Sequence, residues 1–315
     1  MFKGIKNGSA LISASFKTFR QYPILLFPIF VVWLILAPLI VYFDWYFNWE
    51  IYNTQDRLLI LFLIISFFAF LLSLSCSVML ELLQQKETGK KFNLAKAVLK
   101  TFSSNLIPII LLSFVWGLIW FILIVIDLLI NKKNNSNNES ERNAENMART
   151  LSGADNSSLS FSIDIFLKGI RMVVFLIIPA FAWENKDIGT SINRGFDILR
   201  QRKTEFIAGF TLSLAVEILI FLPSALMFYL SDKGMEFPEW SWFICIFYIG
   251  LAWSYSIYLE QMFAAELYLW QMAYEKEVGI WIKKKRRHSE FNEDYPDFAK
   301  IRRPSIIDNI PDLKP

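Results

Sequence analysis

Six long apolar stretches constrain this chain more than any other feature of its sequence. A helix needs about 20 apolar residues to cross a hydrocarbon core about 30 Å thick. The stretches cover residues 23–43, 58–80, 106–130, 166–183, 206–230 and 242–265. Trp and Tyr residues stand near many of their ends, as is typical of side chains at the two membrane interfaces. The sequence therefore predicts an all-α, polytopic membrane protein with six transmembrane helices.

The distribution of positive charge predicts how these spans are oriented. The N-terminal segment, the loops between spans two and three and between spans four and five, and the C-terminal tail together hold 24 of the 32 Lys and Arg residues. The opposite side holds six, and Lys168 and Arg171 lie inside the fourth span. Because positively charged short loops stay in the cytoplasm, both termini are predicted to be cytoplasmic.

The cytoplasmic segments share a pattern that indicates an internal repeat. The segments before spans one, three and five carry apolar residues at spacings of three, four and seven, typical of an amphipathic helix at the membrane interface. The stripes are Ile5, Ile12, Phe16 and Phe19; Leu94, Ala95, Val98, Leu99 and Phe102; and Ile188, Ile192, Phe196 and Leu199. The pattern predicts three parallel repeats of an interfacial helix plus two spans, although any six-span protein can carry amphipathic inner loops.

Several short motifs resemble those of a known family. They are the basic start at residues 1–6, the helix at 13–20 that leads into 25–28, and residues 178–181 followed by Glu184. Together they resemble an uncharacterised family of six-span bacterial inner-membrane proteins. More distantly, they resemble the membrane domain attached to some glycerophosphodiester phosphodiesterases. The resemblance covers most of residues 1–275 and implies the six-span fold and an inner-membrane location, but no activity and no catalytic residues.

Two long segments lie outside the predicted spans, one as an outer loop and one as the C-terminal tail. Residues 131–162 are rich in Asn and Ser, a composition that cannot bury an apolar core and predicts a flexible outer loop. A short surface helix within residues 139–151 is compatible with that loop. Residues 1–275 are predicted to form the membrane domain, and residues 276–315 a basic cytoplasmic tail.

Four ionisable residues are predicted to lie at membrane depth. Such residues are costly there and are functional candidates by default. Arg171 in the fourth span and Glu217 in the fifth lie at nearly the same depth, so we expect them to form a buried ion pair between helices. Lys168 lies one turn farther out, and Glu260 lies in the inner part of the sixth span. The set is interpreted either as an ion or headgroup site or as a pair that fixes helix packing.

A run of five cations follows Trp281 and suggests contact with anionic lipid. These residues are Lys283, Lys284, Lys285, Arg286 and Arg287. Each such residue near an anionic surface contributes about 1 kcal/mol. A cluster that only fixes topology is the alternative. Nucleic acid is not an expected partner, because acidic residues after the run dilute its charge.

Composition narrows the possible functions further. One His and two Cys leave no pattern for a Cys/His zinc site, a disulfide framework or a catalytic triad. We therefore expect no catalytic residues, no metal and no cofactor, and the sequence leans away from an enzyme without excluding one. The favoured function is a scaffold or membrane-organising protein whose basic cytoplasmic face engages anionic lipid or a partner protein. The alternative is a transporter or lipid-handling permease that uses Arg171 and Glu217.

Overall fold

The computed structural model describes residues 2–131, 143–152, 158–287, 294–301, 304 and 306. Within these residues the chain forms nine α-helices, and it contains no strand. The helices are α1 (Phe2–Gln21), α2 (Phe27–Trp45), α3 (Thr54–Glu87), α4 (Leu94–Asn131), α5 (Ala144–Ser152), α6 (Ser158–Glu184), α7 (Ile188–Gln201), α8 (Lys203–Asp232) and α9 (Glu239–Arg287).

Six helical segments of the described chain are long and apolar enough to cross a membrane. They are Pro23–Trp45, Thr54–Glu87, Leu94–Ile126, Ile165–Glu184, Lys203–Asp232 and Glu239–Arg286. The prediction of an all-helical chain with six such segments is confirmed. Each segment overlaps one of the apolar stretches of the sequence.

Several of these helices are longer than the apolar stretches that predicted them. Helices α3, α4 and α9 contain 34, 38 and 49 residues, whereas about 20 residues cross the hydrocarbon core. An apolar stretch measures only the part suited to lipid, but each further residue adds a backbone hydrogen bond and extends the helix. The stripe from Leu94 to Phe102 therefore forms the first turns of α4, and α9 continues across the predicted boundary at residue 276.

Helices α3, α6 and α9 form the centre of the bundle. Helix α6 packs against both of the others, and Phe175 and Trp183 on it are fully buried. Hydrogen bonds join the three helices: Trp183 Nε1 donates to the Leu80 carbonyl at 3.3 Å, and Gln261 Nε2 donates to the Phe175 carbonyl at 3.3 Å. A polar residue on the face of α6 that packs against α3 and α9 therefore meets other side chains rather than lipid.

Helix α1 packs on α8 through small and polar residues. An added Cβ at Gly8 would lie 2.7 Å from the nearest side-chain atom of α8, so only a glycine permits this approach. Asn7 Nδ2 donates to Glu205 Oε1 at 3.1 Å in the same contact. Ile5 and Phe16, two members of the predicted apolar stripe, remain 45% and 37% exposed on the outside of the bundle.

Part of the Asn/Ser-rich segment is more ordered than its composition predicts. Helix α5 packs on α9, and Ala148 on α5 is fully buried. Arg149 forms an ion pair with Glu145 on the same helix at 2.8 Å. It forms another with Asp232 at 2.7 Å, and this second pair joins α5 to the end of α8. Residues 158–162 of the predicted flexible loop form the first residues of α6 instead. Residues 132–142 and 153–157 of that loop lie outside the described residues.

Candidate functional site

The four intramembrane candidates meet in one charge cluster. Lys168 and Arg171 lie one turn apart on α6, Glu217 lies on α8, and Glu260 lies on α9. The side chain of Glu260 is fully buried and that of Lys168 is 5% exposed. Residues three or four apart project from the same side of a helix, so both cations of α6 point towards the two carboxylates. The cluster therefore joins three helices that are distant in sequence.

The geometry of the charge cluster pairs every cation with a carboxylate. Arg171 donates from Nε to Glu260 Oε2 at 2.7 Å and from Nη2 to Glu260 Oε1 at 2.8 Å. This two-point contact is the strong form of an arginine–carboxylate pair. Lys168 Nζ lies 2.9 Å from Glu260 Oε1 and also donates to Glu217 Oε2. Glu260 thus binds both cations, and Lys168 bridges both carboxylates.

The predicted pairing of Arg171 with Glu217 is wrong, although both residues belong to the cluster. Residue counting gives depth: Glu217 lies 14 residues after Lys203, or about 21 Å along the helix axis. Depth does not give the rotation of a helix about its axis. Rotation directs Arg171 towards α9 and leaves Lys168, one turn farther out, within reach of α8.

With all four groups ionised, the charge cluster is neutral. Two positive and two negative side chains satisfy one another, and breaking such a set leaves an uncompensated charge in an apolar surrounding. The members differ in access: 26% of the Glu217 side chain and 18% of the Arg171 side chain are exposed. Chemically, the arrangement can fix three helices together, and its accessible carboxylate can also exchange a partner.

The cations near the chain's C-terminus lie at the far end of α9. Lys283, Lys284, Lys285 and Arg286 are all exposed, and we call them the basic end. The Lys285 ammonium lies 4.8 Å from the ring centre of Trp281. The side chain of Arg287, the fifth predicted cation, lies outside the described residues.

The basic end lies well beyond the level of the bundle at which α8 begins. Arg202, directly before α8, donates from Nε to Gln271 Oε1 on α9 at 2.6 Å, so Gln271 marks that level. Lys283 lies 12 residues farther along the same helix, or about 18 Å. The basic end therefore projects from the bundle instead of lying beside it.

The described part of the C-terminal tail folds back onto the same region. The guanidinium of Arg202 lies 3.9 Å from the ring centre of Phe298 and 4.3 Å from that of Tyr274, which places a cation between two aromatic faces. Trp270 Nε1 donates to the carbonyl of Ile301 at 3.2 Å. This contact was not predicted, because no local pattern of the sequence connects residues 202 and 298.

Helix α7 is held to α9 by a second two-point ion pair. Arg194 donates from Nη1 and Nη2 to the two carboxylate oxygens of Glu275, at 2.8 and 2.6 Å. Burial opposes the charge of Arg194, but these bonds to Glu275 outweigh burial and hold its pKa above the ordinary value. The pair links the helix that follows α6 to the base of the projecting part of α9.

Comparisons with known proteins do not add a family to these observations. The sequence matches no protein-family model, no curated protein and no solved structure. Within the described residues, no group of three or more His, Cys, Asp and Glu side chains is arranged to hold a metal ion. The family resemblance noted in the sequence stays a prediction.

Proposed function

We propose that this chain is a non-enzymatic protein of the cell inner membrane, with both termini in the cytoplasm, that acts as a scaffold through its basic cytoplasmic face. The observation that carries the proposal is the projecting basic end of α9, with its exposed cations. A rigid helix presents these charges at a fixed position. Such a surface suits an acidic partner protein.

The position of the basic end favours a protein partner over direct contact with lipid headgroups. Electrostatic attraction between exposed charges is screened over about 8–10 Å at physiological salt. The cations begin about 18 Å beyond the level of Gln271 at 1.5 Å per residue. Anionic headgroups are more accessible to basic residues nearer the membrane, such as Arg200 and Lys203, which are exposed.

The proposal includes the threefold repeat. Helices α1 and α7 and the first turns of α4 each precede an outward span, and α3, α6 and α9 each return. The three returning helices are those that meet at the centre of the bundle. This correspondence supports three parallel units, each contributing one central helix.

Neutralising the basic end should weaken binding of the partner. We expect that replacing residues 283–286 with Gln lowers recovery of a co-purifying partner at least about tenfold, since each lost ion pair contributes about 0.5–1 kcal/mol. The measurement is quantitative mass spectrometry after gentle extraction from the native membrane. The matched control replaces four other exposed cations, Lys6, Lys17, Lys90 and Lys91, with Gln. Equal recovery from both variants would contradict the scaffold proposal.

The proposed orientation is testable because both natural cysteines, Cys76 and Cys245, are buried and should label slowly. We expect Gly279→Cys on the projecting part of α9 to react with a membrane-impermeant maleimide only after cell lysis. Lys233→Cys, at the end of α8, should react in intact cells. Both sites are exposed or open. The reverse labelling pattern would overturn the cytoplasmic assignment of the termini.

One observation favours a second candidate, a transporter or lipid-handling permease. Glu217 is the most exposed member of the charge cluster, yet its partner Lys168 is buried. A carboxylate that can leave its partner at membrane depth is the kind of group that transport uses. In this interpretation Glu217 exchanges Lys168 for a substrate, while Arg171 and Glu260 keep the helices in place.

The second candidate predicts a defined loss with Glu217→Gln. Purified protein in vesicles should accelerate the movement between leaflets of phosphatidylethanolamine labelled on an acyl chain, because its headgroup ammonium can replace Lys168 as the partner of Glu217. Glu217→Gln should reduce that rate at least about tenfold while the variant stays folded, as expected for a functional intramembrane carboxylate. Glu236→Gln, at an exposed position outside the helices, is the control. If wild-type protein moves the lipid no faster than protein-free vesicles do, the lipid-handling version is excluded.

A further inference from the structure

A wide apolar groove opens beside α6, on the side opposite the charge cluster. It has a volume of about 670 Å³ and is lined by residues of α4, α6, α7 and α8. Every lining residue is apolar or aromatic except Gly169. Along α6 it runs from Ile165 to Ile177, which is 12 residues or about 18 Å. The groove therefore follows a large part of the membrane-spanning length of α6.

The groove is open space beside Gly169. The nearest atom to an added Cβ there is Cε2 of Phe210, at 4.0 Å, so α6 and α8 do not close on each other at this point. The rims remain accessible: Val115, Phe166 and Ile207 are 49%, 58% and 62% exposed. An apolar opening on helices that span a membrane faces acyl chains, not water.

Two cations stand at one end of the groove. Phe196 of α7 and Ile207 of α8 line that end; Arg200 follows Phe196 by four residues, and Lys203 precedes Ile207 by four. Residues four apart lie on one side of a helix, so both cations lie one turn from the lining. Both are exposed, and in the described part of the chain neither forms an ion pair. Basic sites between membrane helices bind the phosphates of anionic lipids.

We propose that this groove binds one anionic phospholipid, with an acyl chain along α6 and the phosphate held by Arg200 and Lys203. The site has an apolar groove and a pair of cations, and such a lipid has an acyl chain and a charged phosphate. The apolar length accepts the chain, and the paired cations at its end match the charge of the headgroup. This site is independent of the basic end and of the charge cluster, so it stands or falls separately from the proposed function.

The test is native mass spectrometry of the detergent-purified protein titrated with phosphatidylglycerol and phosphatidylcholine of identical acyl chains. Wild-type protein should bind one phosphatidylglycerol about thirtyfold more tightly than phosphatidylcholine, because each of two cations near the headgroup contributes about 1 kcal/mol. Arg200→Gln with Lys203→Gln should abolish the preference. Gly169→Leu should obstruct the middle of the groove and weaken the binding of both lipids. The controls are Lys17→Gln with Arg20→Gln, and Gly279→Leu at a position with no neighbour within 4 Å.

Each result decides for or against the site. The proposal is overturned if the preference survives in the Arg200/Lys203 variant, or if the Lys17/Arg20 control loses it equally. The proposal is also overturned if Gly169→Leu binds both lipids as the wild-type protein does. It is equally overturned if a protein co-purifies with the wild-type chain and only this variant loses it, because the groove then holds a protein. If Gly169→Leu fails to fold, Ile207→Trp on the exposed rim obstructs the same groove and takes its place, with the same expected weakening.

Discussion

Replacing Glu260 with Met should destabilise the protein by about 3–5 kcal/mol, the cost of removing one partner from a buried ion pair. Glu260 accepts hydrogen bonds from Arg171 and lies 2.9 Å from Lys168 Nζ. Without it, Arg171 keeps its charge with no carboxylate in contact, while Lys168 retains only Glu217. The measurement is thermal unfolding of the detergent-purified protein, followed by tryptophan fluorescence.

A double variant separates the charge from the packing. Arg171→Met together with Glu260→Met removes one cation and one carboxylate and leaves the pair of Lys168 with Glu217 in place. We expect it to recover most of the lost stability, because replacing a complete buried pair with apolar residues of similar volume is often neutral. Glu239→Met on the exposed start of α9 is the matched control. A double variant as unstable as the single one would show that packing, not charge balance, causes the loss.

The second large effect is expected at Gly209, where α8 crosses α9. An added Cβ at this position would overlap the ring of Phe263, and Phe263 is fully buried. Gly209→Ala must therefore displace a large ring from a packed core, at a cost of about 1–3 kcal/mol. The same unfolding measurement reports the loss as a lower midpoint temperature.

Two further variants test the cause of that loss. Phe263→Leu in the Gly209→Ala background removes the overlapping ring and should restore part of the stability, whereas Phe263→Leu alone should be destabilising. Gly279→Ala is the control, because that glycine of α9 has no neighbour within 4 Å. It should be neutral or stabilising by up to about 1 kcal/mol, since alanine favours a helix. If the two glycine variants behave alike, helix propensity and not steric overlap governs Gly209.

The sequence was sufficient for the six long apolar helices and for the level of the charged residues along them. Apolar length identifies such a helix, and counting from its end gives the levels of Glu217 and Arg171, which belong to one charge cluster. It was insufficient for their partners, because pairing depends on how each helix is rotated and on which helices are neighbours. Arg171 contacts Glu260, 89 residues away, since α6 packs on α9; nothing near residue 171 specifies that neighbour.

The same limit explains the other differences. A stripe of large apolar residues predicted α1 as an amphipathic helix at the membrane interface, but it did not predict the close contact with α8, which uses Gly8 and Asn7. Small residues carry little hydrophobic signal and are informative only once the opposing helix is known. The contact of Arg202 with Phe298 has the same character, since it closes a loop of nearly one hundred residues.

Helix α9 connects its membrane-spanning segment to the basic end in one continuous helix. It is a single helix from Glu239 to Arg287, about 73 Å long at 1.5 Å per residue, and its sequence contains no proline. Lys283 lies 23 residues beyond Glu260, so a tilt of about 10° about the charge cluster displaces it sideways by about 6 Å at this rise per residue. A change in bilayer thickness that tilts this span would thus move the proposed partner-binding site sideways.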